Sequence, residues 1–203
     1  MMDTRRTVDA VWRIESARIV ATLVKMTGDV GLAEDLAQEA LVDALAQWPE
    51  TGVPQNPGAW LTAVAKRKAI DGWRRRERLD DRYRAIAHDL EHDAAGPHGH
   101  DAPGGSGWEP IDDDVLRLIF IACHPVLSQE ARVALTLRVV GGLSTEEIAR
   151  LFLLPVATVQ QRIVRAKKTL AAAQVPFETP DPAEWPARLS SVEGVVYLIF
   201  TEG

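Results

Sequence analysis

The stretch LSTEEIARLFLLPVATVQQRIVRAKKTL, residues 143–170, decides the fold of this chain. Ser144, followed three residues later by Glu147, predicts a capping box, in which each side chain satisfies a backbone amide where a helix begins. That short helix gives way at Pro155, which the first turn of a new helix tolerates. Two helices joined by a turn of three or four residues, the second of them basic, predict a helix-turn-helix.

The second helix of this pair, predicted over Val156–Leu170, separates into an apolar side and a polar side. Val159, Ile163 and Ala166 share the apolar side with Leu170 and are expected to pack on the preceding helices. On the rest of the helix, Arg and Gln can read guanine and adenine, and Lys suits phosphate. The candidate DNA-binding residues are Thr158, Gln160, Gln161, Arg162, Val164, Arg165 and Lys168. An ordinary cationic amphipathic helix is the alternative.

Charge is organised in blocks along the 203 residues, whose net charge is −6. Residues 66–78 hold seven Lys or Arg against two acids, and residues 156–170 hold four against none. Residues 29–50 carry six acids and residues 88–114 carry eight, with no Lys or Arg in either block. Because the basic residues are concentrated, the acidic total does not exclude binding to nucleic acid.

An acidic stripe marks the second helix predicted from the sequence. Asp35, Glu39 and Asp43 follow one another at four-residue spacing, with Glu34 and Gln38 beside them. Like charges at this spacing repel by a few tenths of a kcal/mol per pair. A basic partner would offset that repulsion, and a solvated helix face is the alternative.

The fold class predicted for the chain is all-α. Apolar residues at helical spacing predict helices over about 3–27, 30–47, 59–80, 112–123 and 128–140 in addition to the helix-turn-helix. Pro49 is expected to end the second helix, and residues 50–58 to form a rigid loop. In the third helix the apolar positions change phase midway. It therefore either packs against two neighbours or leaves Trp73 partly exposed.

Two small helical domains joined by a flexible acidic linker are expected, because residues 93–110 are rich in Gly and Pro and hold no aliphatic residue beyond Ala. The predicted divisions are 1–90, the linker 91–111, the helix-turn-helix domain 112–174 and an extension 175–203. The extension resumes an apolar pattern. It is expected either to open an extra domain or to fold back on one of the two domains.

Several separate motifs resemble those of extracytoplasmic-function sigma factors. LRVVGGLSTEEIA, residues 137–149, and ATVQQRIVRAK, residues 157–167, resemble their C-terminal DNA-binding domain. AEDLAQE, residues 33–39, looks like their polymerase-binding helix, and residues 59–76 look like their promoter-melting segment. Residues 114–125 resemble one subgroup, whose members carry an extra C-terminal domain of helical repeats. That domain would be truncated here.

The resemblance implies a transcription initiation factor whose partners are core RNA polymerase and promoter DNA. Core polymerase would bind Glu34, Asp35, Gln38, Glu39 and Asp43. The −10 element would meet Trp60, Lys66, Arg67, Asp71, Trp73, Arg74 and Arg75, and the predicted reading helix would meet the −35 element. The loop over 50–58 would help to capture an unstacked base. An anti-sigma factor or the chain's own C-terminal extension would be the regulator, and no cofactor or metal is implied.

Two positions depart from the family pattern. Arg67 stands where many members have Asn, so the base preference of the melting segment is open. Leu154 and Pro155 precede the reading helix in place of a Ser-type cap, which is expected to shift its first turn.

Two other classes of function fit parts of the sequence. A helix-turn-helix regulator that acts without polymerase would share the second half but would not need the acidic stripe. A helical metal-dependent hydrolase would use His88, His92 and residues 112–114. Those ligands lie in or beside the expected linker, which cannot hold a metal geometry, so an enzyme is not expected. The single Cys123 favours a reducing cytoplasm, and no apolar run approaches the roughly 20 residues of a membrane span.

Overall fold

The computed structural model describes residues 2–88, 114–181 and 183–202, with helices as the only regular elements of those segments. The first half holds α1 (Met2–Thr27), α2 (Val30–Thr51) and α3 (Pro57–His88). The second half holds α4 (Asp114–Ala122), α5 (Gln129–Val139), α6 (Thr145–Leu151), α7 (Val156–Ala172) and α8 (Trp185–Glu202). The all-α prediction is confirmed. The expected linker, with His92, lies outside the described residues.

The break between α1 and α2 follows the prediction from local sequence. Gly28 has a φ of 68°, in the left-handed region that glycine adopts most readily. Asp29 then caps α2, because its carboxylate accepts a hydrogen bond from the amide of Leu32 at 2.9 Å. Together the two residues end one helix and satisfy an otherwise unpaired amide of the next.

The end of α2 differs from the prediction. Pro49 was expected to stop the helix, but α2 continues through it to Thr51. Proline removes one backbone hydrogen bond from a helix, yet two further residues of α2 follow Pro49. The helix ends instead at Gly52, which has a φ of 82° and whose amide donates to the carbonyl oxygen of Trp48 at 3.0 Å.

Helix α3 begins earlier and ends later than expected. The side chain of Asn56 accepts a hydrogen bond from the amide of Ala59 at 3.0 Å, so the helix begins at Pro57 and the preceding loop shortens. The helix contacts both α1 and α2, which explains the phase change of its apolar positions. Trp73 is 37% exposed, so both expected outcomes for α3 occur together.

The capping box predicted at the start of α6 is present. The amide of Glu147 donates to the hydroxyl of Ser144 at 3.1 Å, and the amide of Ser144 donates to the carboxylate of Glu147 at 2.8 Å. Ser128 caps α5 through the amide of Ala131. Helices α6 and α7 both contact their neighbours in the second half, so the helix-turn-helix outline is confirmed.

Helix α8 folds back on the second half, where it contacts α4 and α5. Val195 is buried, and Arg132 of α5 donates to the hydroxyl of Ser191 at 3.4 Å. Leu189 and Tyr197 remain exposed on the same helix. Side chains 198–203 lie outside the described ones. Folding back was one of the two outcomes expected for the extension.

The two halves share one continuous hydrophobic core, which the sequence did not predict. Its buried members come from both halves, and α4 contacts α1 while α7 contacts α2. This packing brings the helix-turn-helix against the acidic helix. It therefore positions the surfaces described next.

Candidate nucleic-acid interface

The apolar side of α7 is buried as predicted. Val159, Ile163, Ala166 and Leu170 are between 1% and 6% exposed, and they hold the helix against its neighbours. Burial of an aliphatic side chain contributes about 1.5–3 kcal/mol, so this row fixes the rotation of the helix about its axis. The other side of α7 therefore has a defined direction.

The predicted reading face lies on the outer side of α7. Gln160, Gln161, Val164, Arg165 and Lys168 are exposed, whereas Thr158 and Arg162 are partly buried. Arg162 lines an apolar cavity of about 270 Å³ between α5, α6 and α7. The exposed members form a mixed surface of amide, guanidinium, ammonium and apolar groups, which suits contacts to bases and phosphates.

The start of α7 differs slightly from the prediction that Pro155 lies in its first turn. Pro155 is the N-cap residue, and no side chain caps the first turn. Leu153 just before it has a φ of 51° and is 92% exposed. The left-handed conformation is unfavourable for leucine, and the exposed side chain buries no apolar area that would compensate for it. The turn between α6 and α7 is therefore held by the helices it joins.

The basic part of α3 presents most of the residues predicted to meet a −10 element. Lys66, Arg67, Asp71, Trp73, Arg74 and Arg75 are all exposed. They lie along one stretch of helix, close enough to follow a nucleic-acid backbone. Ile70 is 39% exposed beside them, so the surface also offers an apolar contact.

Trp60 differs from the other predicted −10 residues. Its ring packs edge-on against the buried ring of Trp48, with centroids 5.4 Å apart and an interplanar angle of 66°. Edge-to-face contacts of this kind stabilise a core beyond the area they bury. Trp60 therefore joins α3 to α2 in this structure, which the sequence reasoning missed.

The acidic stripe of α2 is neutralised largely within its own half of the chain. Lys68 of α3 pairs with Asp43 at 3.0 Å and with Glu39 at 3.4 Å. Its hydrogen bond to Asp43 raises the pKa of Lys68 above its usual value. The repulsion in the stripe is thus offset by this chain, so it does not by itself require an external basic partner. In the sequence, only the position of Lys68 in the basic run of residues 66–78 could have indicated that it pairs with the stripe.

Glu34, beside the stripe, is the most enclosed acid of the predicted polymerase-binding set. Its side chain is 6% exposed, and it accepts a hydrogen bond from Nε of Arg138 at 2.6 Å. Nζ of Lys167 contacts its other carboxylate oxygen and lies 3.7 Å from Asp35. Gln38 lines a polar cleft of about 330 Å³ between the same two halves. The prediction placed these residues on a surface and missed the partners across the fold.

The described residues contain no cluster of three or more potential metal ligands. His88 lies at the end of α3, and His92 lies outside the described residues. Cys123 is buried with its Sγ 3.4 Å from the hydroxyl of Thr136. Burial raises the pKa of the Cys123 thiol, as is typical of a cysteine that fills a core position.

Two family models match the two halves of the chain. The model of Sigma-70 region 2 matches residues 13–79, from α1 into α3. The model of Sigma-70, region 4 matches residues 117–170, from α4 into α7. Together they cover more than half of the chain. The chain belongs to the sigma-70 family. Helices α1–α3 are therefore called region 2, and helices α4–α7 region 4.

Similar proteins place the chain in the extracytoplasmic-function group of that family. An uncharacterized protein of Rhizobium meliloti is 39% identical over 91% of this chain and 43% of its own length. The probable ECF RNA polymerase sigma factor SigI of Mycobacterium tuberculosis is 30% identical over 83% of this chain and 56% of its own. The ECF RNA polymerase sigma-E factor of Haemophilus influenzae is 28% identical over 67% of this chain and 71% of its own length. The chain thus spans about half the length of the first two relatives.

No helix in the described segments is both long and apolar enough to cross a membrane.

Proposed function

We propose that this chain directs core RNA polymerase to promoters by recognising a −10 and a −35 element. The observation that carries the proposal is the capped helix-turn-helix, whose buried apolar row turns the polar face of α7 outward. An exposed face of Gln, Arg and Lys on a fixed helix is what major-groove reading requires. The match of region 2 favours this function over a regulator that acts without polymerase.

The proposed −35 contacts are the residues on the outer and flanking sides of α7. Arg165 and Gln161 are the base-reading candidates, and Lys168 is a phosphate contact. Arg162 and Thr158, which are partly buried, contribute from the edge of the face. Gln160 and Val164 complete the set, the latter against a thymine methyl group.

The proposed −10 contacts lie on α3. Lys66, Arg67, Arg74 and Arg75 would hold the DNA backbone, with Asp71 and Trp73 beside them. Trp60 acts through its packing against Trp48 and keeps α3 in place. The loop between α2 and α3 lies at the start of the same helix, where an unstacked base would be received.

The proposed core-polymerase contacts lie on α2. Asp35, Glu39 and Asp43 form the outer stripe, and Glu34 with Gln38 lies on its inner edge. A basic surface of the polymerase would bind this stripe by charge complementarity. The protein would act in the cytoplasm, where polymerase and promoters are, and would bring no catalytic chemistry of its own.

The test is run-off transcription with purified core polymerase, together with a direct measurement of core binding. We expect the protein to bind core and to start transcription at promoters that core alone ignores. Failure on both counts would contradict the proposal. Sequence-specific DNA binding without core binding would instead establish the helix-turn-helix regulator. A stoichiometric transition metal in the purified protein would favour the hydrolase.

A further inference from the structure

We infer that Ala157 and Val164, two turns apart on the outer side of α7, each read a thymine through its C5-methyl group, with Gln161 between them at an adenine. The inference rests on the proposed function and adds the class of sequence that the chain selects. That class is an upstream element with two thymines about three base pairs apart. The DNA contacts predicted from the sequence did not include Ala157.

Four residues form a line along the outer side of α7, here called the outer line. They are Ala157, Gln161, Val164 and Lys168. Spacings of four, three and four residues keep them on one face of a helix with 3.6 residues per turn. All four are exposed, and Val164 is 49% exposed. The opposite side of α7 packs on α2, α5 and α6, so the outer line faces away from the fold.

The first turn of α7 presents no hydrogen-bonding side chain before Thr158. Pro155, Val156 and Ala157 are exposed in succession, and no side chain caps the helix. In a helix-turn-helix, the N-terminal residues of the second helix contact the base edges. An alanine at that end can distinguish bases only by apolar contact, and in the major groove thymine is the base that presents a methyl group.

The two apolar side chains also disfavour the other bases. In the major groove adenine and cytosine present an amino group, and guanine presents a carbonyl oxygen. Placed against Ala157 or Val164, such a group loses water and gains no partner, which is unfavourable. A thymine methyl group in the same place is removed from water, which is favourable. Both positions therefore select thymine.

Polar neighbours complete the pattern. Gln161 lies one turn beyond Ala157, and a glutamine amide can bond adenine through both its donor and its acceptor. Arg165 follows Val164 directly and suits guanine, whereas Lys168 at the end of the outer line suits a phosphate. The outer line thus begins at a base methyl group and ends at the DNA backbone.

Side-chain size agrees with this direction. The smallest member of the outer line, Ala157, lies at the N-terminal end, where the helix backbone comes nearest to the bases. The longest, Lys168, lies at the other end, from which it can reach a phosphate. Val164 follows Ala157 by seven residues, or about 10.5 Å along the helix axis. At 3.4 Å per base pair, that separation corresponds to about three base pairs.

Removal of single methyl groups from the DNA tests the inference directly. Holoenzyme reconstituted with core polymerase first selects its upstream element from promoters randomised in that region. Each thymine of the selected element is then replaced singly by deoxyuridine, which lacks only the C5-methyl group. We expect two thymines about three base pairs apart at which the replacement weakens binding about fourfold. An element without such thymines, or equal binding with thymine and deoxyuridine throughout, would overturn the inference.

Two variants assign each thymine to its residue. Ala157→Gly should remove most of the sensitivity to deoxyuridine at one thymine, and Val164→Ala should remove most of it at the other. Each variant should keep the sensitivity at the thymine that it does not touch, which controls for folding and core binding. Val196→Ala, at a valine of α8 that is 42% exposed, should keep both. Test variants that keep both sensitivities would contradict the assignment.

A change of base preference provides a readout that a purely structural role would not produce. Ala157→Arg places a guanidinium group at the N-terminal end of the outer line. Selection should then favour guanine over thymine at that one position by roughly tenfold. Ala187→Arg adds the same charge at an exposed site of α8 and should leave the selected element unchanged. If Ala157→Arg still selects thymine there, Ala157 does not read that base.

The outcomes separate this inference from the proposed function. If the wild-type chain binds no core polymerase, or its holoenzyme selects no upstream element, the proposed function is wrong and the inference falls with it. If the holoenzyme selects an element whose binding does not depend on thymine methyl groups, only the inference is wrong.

Discussion

Lys167 of α7 contacts Glu34 of α2, so the two halves of this sigma-70 family chain meet through residues that flank their candidate binding surfaces. Arg138 holds the other oxygen of the same carboxylate at 2.6 Å. These ion pairs join the helix that carries the candidate reading face to the helix that carries the acidic stripe.

Replacing Arg165 by Ala should weaken recognition of the −35 element and leave core binding intact. Arg165 is exposed on the outer side of α7, and a specific Arg contact to guanine contributes about 1–3 kcal/mol of discrimination. Promoter binding by the reconstituted holoenzyme, measured on wild-type and altered −35 sequences, checks this. Arg18→Ala removes an exposed arginine of α1 and serves as the control. Lost core binding in Arg165→Ala would show that the face is wrongly assigned.

Reversing the outer stripe with Asp35→Lys and Glu39→Lys should abolish core binding. Both side chains are largely exposed, at 73% and 60%, so the fold should tolerate the change. Glu178→Lys together with Glu193→Lys, at two exposed sites of the second half, is the charge-matched control. The measurement is affinity for core enzyme, accompanied by thermal unfolding. Unaltered core affinity in the double variant would exclude the stripe as the docking surface.

Removing the capping box should destabilise region 4. Ser144→Ala deletes an N-cap side chain, which typically costs about 1 kcal/mol of the free energy of unfolding. Ser190→Ala, at an exposed site of α8, should have little effect. Thermal unfolding of both variants provides the comparison. An equal loss of stability in the two variants would mean that the cap at Ser144 makes no specific contribution.

The same cap predicts a loss of stability in acid. The hydrogen bond from the amide of Ser144 lowers the pKa of the Glu147 carboxyl below its ordinary value, and the nearby charge of Arg13 lowers it a little further. Because the folded pKa is the lower one, this stabilisation is complete above the unfolded value and disappears as pH falls through the folded value. Glu147→Gln should therefore unfold with a weaker dependence on pH below about pH 4.5 than wild type. If the stability of Glu147→Gln and that of wild type fall equally in acid, this prediction is wrong.

Cys123 should be unreactive in the folded chain. Its thiol is buried, and burial raises its pKa, so little thiolate is present at neutral pH. Labelling with a thiol reagent should be slow in buffer and fast in guanidinium chloride. Rapid labelling of the native chain would mean that α4 opens readily from the core.

The sequence predicted those features that depend on neighbouring residues. Asp29 and Gly28 separate α1 from α2, and Ser144 with Glu147 opens α6, because caps act within three residues. The buried row of α7 followed from its helical spacing. The helix end predicted at Pro49 was wrong, because proline disfavours a helix without excluding it and the packing of Trp48 on Trp60 is not visible in the local sequence.

By itself, the sequence determined that this protein is all-α, with a capped helix-turn-helix whose polar face points away from an apolar row. Only the tertiary structure decided what the acidic stripe meets. Lys68 pairs with two of its acids, and Arg138 reaches Glu34 from 104 residues away. The physical reason is that helix periodicity fixes which residues share a face, whereas contacts between distant helices depend on how those faces pack. The packing of α4 on α1 and of α7 on α2 belongs to that second kind.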